Sequence, residues 1–155
     1  MIEVELCDRQ QKLPFDGARL VESVRRVLTD GGIEAAQISL AVVDDATIHD
    51  LNRQFLDHDE PTDVLSFLLE AGPPLEGEIV VSADTAVRSA KAYGWPAESE
   101  LLLYVIHGAL HLAGLDDATA DKQAEMRAAE RKHLASFGLE PPAAGPPDAP
   151  RPDDL

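Results

Sequence analysis

The twelve residues LLLYVIHGALHL, from Leu101 to Leu112, contain no Asp, Glu, Lys or Arg. Read as part of a helix from Glu98 to Gly114, this run is apolar on every side, and such a helix is stable only where other elements cover it all round. The rest of the chain has to wrap it, which makes it the central buried helix of the fold.

The flanking sequence supplies the cover. Residues 2–7 alternate apolar and polar, the period of a half-buried strand, and Asp16 then caps a helix whose Leu20, Val21, Val24, Val27 and Leu28 recur at helical spacing until Gly31-Gly32 stops it. ISLAVVDD at 38–45 reads as a second strand. Asp44 or Asp45 caps a helix through Ile48, Leu51, Asn52 and Phe55 that Pro61 closes. DVLSFLL at 63–69 and GEIVV at 77–81 read as a third and fourth strand around a turn at 71–74. Ser82 caps a helix ended by Gly94. After the apolar helix, a last amphipathic one runs from about Ala118 to Phe137, with Met126, Ala129 and His133 facing inward and Gly138 ending it. The order βαβαββααα is not the strict alternation of a doubly wound fold. It predicts an α+β domain with a small mixed four-stranded sheet covered by helices.

With 155 residues, 45% of them hydrophobic, the chain has the size of one domain, expected over residues 1–139. From Glu140 onward, EPPAAGPPDAPRPDDL has almost nothing to bury, and residues 140–155 are expected to form a disordered Pro- and acid-rich tail. MIEVELCDRQ shows no basic stretch followed by an apolar one, and no window approaches the roughly 18 apolar residues that span a bilayer, so a soluble, cytoplasmic protein is expected. Cys7 alternates with Val and Leu on the first strand and reads as a buried, inert thiol. The formal charge of −16 argues against a protein that wraps nucleic acid electrostatically.

On a helix, positions i and i+4 lie one turn apart on one face, so His107 and His111 can aim their imidazoles at one ion. Gly114 offers a bend that turns the chain back and brings Asp116 or Asp117 to the same point. With Asp117 the spacing is H-x3-H-x5-D. Two imidazoles, one carboxylate and a position left for water make up a catalytic rather than a structural zinc site, able to acidify a water and polarise a carbonyl or phosphoryl oxygen. The competing reading is a pair of core histidines satisfied by hydrogen bonds. Gly108 stands where H-E-x-x-H peptidases carry their general-base glutamate, which disfavours a peptidase.

The stretch HGALHLAGLDD, His107 to Asp117, resembles H-G-x-L-H-L-x-G-[aromatic]-D-H, the metal motif of the YbeY-type endoribonucleases, bacterial ribosomal RNA maturation factors. PTDVLSF at 61–67 is similar to that family's other signature. GEIVV at 77–81, the stretch from Ser82, the YG at 93–94 and Met126 are also similar, and the likeness covers about residues 1–137. It implies the α+β fold and one Zn2+ per chain on the helix histidines. It also implies hydrolysis of RNA phosphodiester bonds in maturation and quality control of small-subunit ribosomal RNA. The implied partners are a ribosomal RNA precursor and the small ribosomal subunit or its associated proteins, with no part for DNA or a membrane.

This sequence departs from the family at two positions. The family's third ligand is a histidine and here it is Asp117, which binds zinc through a harder oxygen and adds negative charge, so the ion is expected to be a weaker Lewis acid. The family's arginine ahead of PTDVLSF, placed to meet a phosphate, is Leu56. Arg53 and His58 are the candidate catalytic cations for the scissile phosphate, with solvated surface charge as the plain alternative for each. Asp116, which matches the family's aspartate, is a candidate for orienting a ligand from behind. Asp63 and Ser66 are candidate substrate contacts, although Thr62 or Asp63 can equally fix the turn into the strand. His49 and His133 read as structural. The expected function is a zinc-dependent endoribonuclease recruited through the ribosome or a protein partner; the alternative is a non-catalytic ribosome assembly factor that keeps the fold and the metal site.

Overall fold

The computed structural model describes residues 1–142, so the tail expected from residue 140 lies, from 143 on, outside the described residues. Its elements are β1 (Ile2–Asp8), α1 (Gly17–Asp30), β2 (Ala36–Val43), α2 (Asp45–Leu56), β3 (Val64–Glu70), β4 (Leu75–Ser82), α3 (Ala83–Tyr93), α4 (Ala97–Leu112) and α5 (Ala120–Ala135). The order is the one read from the sequence, and the local signals act as expected. Asp16, Asp44 and Ser82 each accept a hydrogen bond from a backbone N–H in the first turn of the helix that follows, on Arg19, Thr47 and Thr85.

The strands form one sheet in the order β1-β2-β4-β3. β1 and β2 run parallel, as do β2 and β4, and β3 closes the edge antiparallel to β4, with Val64 opposite Val81. Alternation along the strands sorts side chains to two faces. Ile38, Leu40, Val42, Ile79 and Val81 enter the large core with Leu20 and Val24 of α1 and the apolar residues of α4 from Leu101 to Leu112. Val43, Leu65 and Val80 meet Ile48 of α2 on the other face.

Helix α4 touches α1, α3, α5 and the β3–β4 hairpin. Every residue from Ser99 to Leu110 is buried, and the run from Leu101 on thereby gains the cover that its apolar faces require. Two glycines let it lie directly on the sheet. A Cβ on Gly108 would stand 2.8 Å from Ile79 Cγ2, and one on Gly77 would stand 2.9 Å from Leu112 Cδ1.

Two expectations need correction. Helix α2 ends at Leu56, well before Pro61, because Asp57 takes the left-handed conformation at φ 57° and its backbone N–H bonds Asn52 O; aspartate is among the few residues that tolerate this geometry. The freed residues 57–63 become a loop beside β3. Cys7 is partly rather than fully buried, since it faces the side of the sheet away from the large core, where Arg9 Nε donates to its sulfur at 3.2 Å. Among the described residues, no helix is long and apolar enough to cross a membrane.

Candidate metal centre

The last turn of α4 and the turn that follows bring three donors together. His107 and His111 sit one turn apart, with Nε2 atoms 2.9 Å apart and rings crossed at 78°. Gly114, at φ 106°, then reverses the chain, a conformation that glycine adopts freely. The reversal brings Asp117 Oδ2 to 3.8 Å from each Nε2. A tetrahedral ion held at about 2.0–2.2 Å keeps its ligand atoms roughly 3.3–3.5 Å from one another. The three separations bracket that value, so His107, His111 and Asp117 fit an ion of zinc size.

A fourth residue, not singled out from the sequence, supports the first ligand. Glu130 of α5 lies with Oε2 2.7 Å from His107 Nδ1, and both side chains are almost fully buried. Arg127 Nη1 donates to both Glu130 oxygens, at 2.7 and 2.8 Å. With Nδ1–H donated to this carboxylate, the ring turns its Nε2 lone pair toward the cluster. The competing reading of satisfied core histidines thus accounts for Nδ1, while the Nε2 atoms converge with a carboxylate. A sequence signal existed. Glu130 stands one turn after Met126 on the inward face of α5, where an acid needs a partner.

The cluster lies in a cleft of about 520 Å³ whose lining includes Asn52, Leu56, His58, Glu60, Asp63 and Ser66. Loop 57–63 forms one wall and is pinned twice: Asn52 Nδ2 donates to Glu60 O at 2.9 Å, and His49 Nε2 lies 2.8 Å from Asp59 Oδ1. Asn52, buried on α2, is a second positioning residue that the sequence hid inside a helical pattern.

Of the remaining candidates, His58, Asp63 and Ser66 line the cleft. Asp63 is 2% exposed, and its Oδ1 accepts from Val64 N at 2.8 Å, which fixes the entry into β3. Arg53 is not part of the lining; it pairs with Asp50 at 2.5 Å on the exposed side of α2. Asp116 accepts from Ala118 N at 3.2 Å and pairs with Lys122 at 3.1 Å. These bonds, the Ala118 N–H foremost and Lys122 next, hold its carboxyl below the usual aspartate range. His133 is buried on α5, away from the lining, and its burial lowers its pKa.

A family model described as Endoribonuclease YbeY matches residues 5–138. An Endoribonuclease YbeY of Rhodopirellula baltica is 45% identical over 127 residues, which covers 79% of this chain and 66% of the relative. That of Moorella thermoacetica is 39% identical over 155 residues, covering 89% and 99%. The solution structure of TM1509 from Thermotoga maritima is similar with a TM-score of 0.58 at 26% identity, covering 97% of this chain and 100% of the other.

Proposed function

The chain belongs to the YbeY endoribonuclease family, and on that footing we propose that it is a zinc-dependent endoribonuclease acting on small-subunit ribosomal RNA during its maturation and quality control. One observation carries the reading: two imidazoles and one carboxylate converge in an open cleft, the donor set of a catalytic rather than a closed structural zinc site.

In this reading His107, His111 and Asp117 hold the ion, which when bound supplies Lewis acidity to a phosphoryl oxygen and acidifies a water. Glu130 keeps His107 in the ligating tautomer. His58 presents the cleft lining's basic side chain to the phosphate, and Arg53 assists only by leaving its pair with Asp50. Asp63 shapes the wall and Ser66 offers a hydroxyl to the substrate, while Asp116 steadies the turn that carries Asp117. The activity is assigned to residues 1–139 as one domain in the cytoplasm. The charge of −16 makes recruitment by the small ribosomal subunit or a protein bound to it the route to substrate.

The test is cleavage of a precursor of small-subunit ribosomal RNA, free and in ribosomal particles, by the zinc-loaded protein beside His111→Ala. Cutting by the first and not the second supports the enzyme. Binding to particles without cutting would replace it with the non-catalytic assembly factor.

A further inference from the structure

Among the described residues, the sheet ends at β3 with no strand on its outer side. Ser82 N donates to Asp63 O at 3.0 Å, and the register sets Leu65 opposite Val80 and Phe67 opposite Glu78. Bonded and non-bonded positions alternate in an antiparallel pair, so residues 63, 65 and 67 direct their backbone groups to β4 while those of Val64, Ser66 and Leu68 point outward. Asp63 Oδ1 takes the Val64 N–H at 2.8 Å. The outward N–H and C=O of Ser66 and Leu68 meet no further strand among the described residues.

The two edges of the sheet are built differently. β1 carries Glu3, Glu5 and Asp8 in seven residues, charges of the kind that keep an edge from pairing, and Arg25 Nε donates to its Ile2 O at 3.3 Å. β3, VLSFLLE, is uncharged until Glu70, and its Leu68 and Leu69 are 56% and 60% exposed. The first half of β3 runs into the cleft, where Val64, Leu65 and Ser66 join Glu60, Asp63 and Asp117 in a lining with neither Lys nor Arg.

We propose that β3 is a docking strand: an extended segment of a partner protein, with Lys or Arg between apolar residues, adds to its open edge as a fifth strand. Strand addition draws affinity from main-chain hydrogen bonds and selectivity from alternate side chains. Apolar side chains on one face of the segment cover an exposed leucine of β3, and its cations meet the acids of the cleft. A second copy of this chain is a poor occupant, because each copy carries a charge of −16. The proposal does not depend on the ribonuclease reading, since the edge binds its segment without an ion or RNA.

The experiment titrates a fluorescein-labelled peptide, Lys-Val-Lys-Val-Lys-Val-Lys, with the full chain in EDTA and follows anisotropy. Binding is expected, and in 15N spectra it should shift the Ser66 and Leu68 amides and slow their exchange with water. An analogue methylated on every backbone nitrogen keeps the side chains and charge but should bind about tenfold or more weakly, the scale of two lost hydrogen bonds. A peptide with Glu for Lys should also bind weakly. Leu68→Pro removes an outward N–H without touching the bonds to β4, a place where an edge strand tolerates proline, and should weaken binding about fivefold or more. Leu68→Lys keeps the backbone and should weaken it by like charge, so the answer does not hang on the proline variant; thermal unfolding checks both folds. No binding, equal binding of the methylated or the Glu peptide, or amide shifts confined to other elements would overturn the proposal. Self-association at raised concentration that protects the same two amides would overturn it in favour of a second copy.

Discussion

His107 on α4 and Glu130 on α5 meet through a 2.7 Å contact between Nδ1 and Oε2, their side chains 5% and 4% exposed. Two helices that share no local sequence signal are thereby joined at the first candidate ligand. The carboxylate fixes the ring's tautomer and orientation before any ion arrives, and Arg127 offsets its buried charge.

Replacing Glu130 by Gln should therefore act on metal affinity more than on the fold. A fall of about 10- to 100-fold is expected, the usual effect of losing a carboxylate behind a ligating histidine. Competition with a chromophoric zinc chelator measures it, and affinity equal to the unaltered chain would remove Glu130 from the site.

Asp117→Ala should leave two imidazoles and lose the ion. Mass spectrometry of the purified protein is expected to find about one zinc per unaltered chain and much less in the variant. Asp117→His, which supplies a third imidazole in place of the carboxylate, should retain it. Zinc held equally well by Asp117→Ala would mean that another residue completes the site.

Gly108→Ala should destabilise the chain even though alanine favours a helix. The new Cβ would sit 2.8 Å from Ile79 Cγ2 and 3.2 Å from Val64 Cγ2. Overpacking of this kind costs about 1–3 kcal/mol, against about 1 kcal/mol gained from helix propensity. Denaturant unfolding decides between them; a more stable variant would show that α4 does not rest so closely on the sheet. The same crowding explains why no glutamate follows His107.

Stability should fall as pH drops below about 6.5, the ordinary histidine value. Burial depresses the pKa of folded His133, and Asp30 opposes this only in part. Above 6.5 both folded and unfolded forms are neutral at this position. Below it the unfolded chain takes up the proton first, so stability is lost until pH passes the folded value. Unfolding curves in EDTA, which removes any contribution of a metal, should show a weaker pH dependence for His133→Gln. An unchanged slope would mean that other groups carry it.

Much of this architecture is written locally. Asp16, Asp44 and Ser82 cap helices because a short polar side chain reaches the nearest free N–H, whatever lies around it. The all-apolar run in α4 could lead only to a buried centre. The end of α2 was less legible, because Pro61 is the louder signal and Asp57 ends the helix through a backbone conformation that few side chains announce.

By itself the sequence determined the order of elements and the pairing of His107 with His111, since helical period and capping act over a few residues. Tertiary structure decided which aspartate joins them: Gly114 swings Asp117 to the imidazoles, while Asp116 turns to Ala118 and Lys122. It also decided that Glu130 stands behind His107 and that Asn52 of α2 pins the loop that walls the cleft. Those relations depend on how α2 and α5 pack against other elements, and packing distances between segments far apart in the chain leave no periodic mark in it.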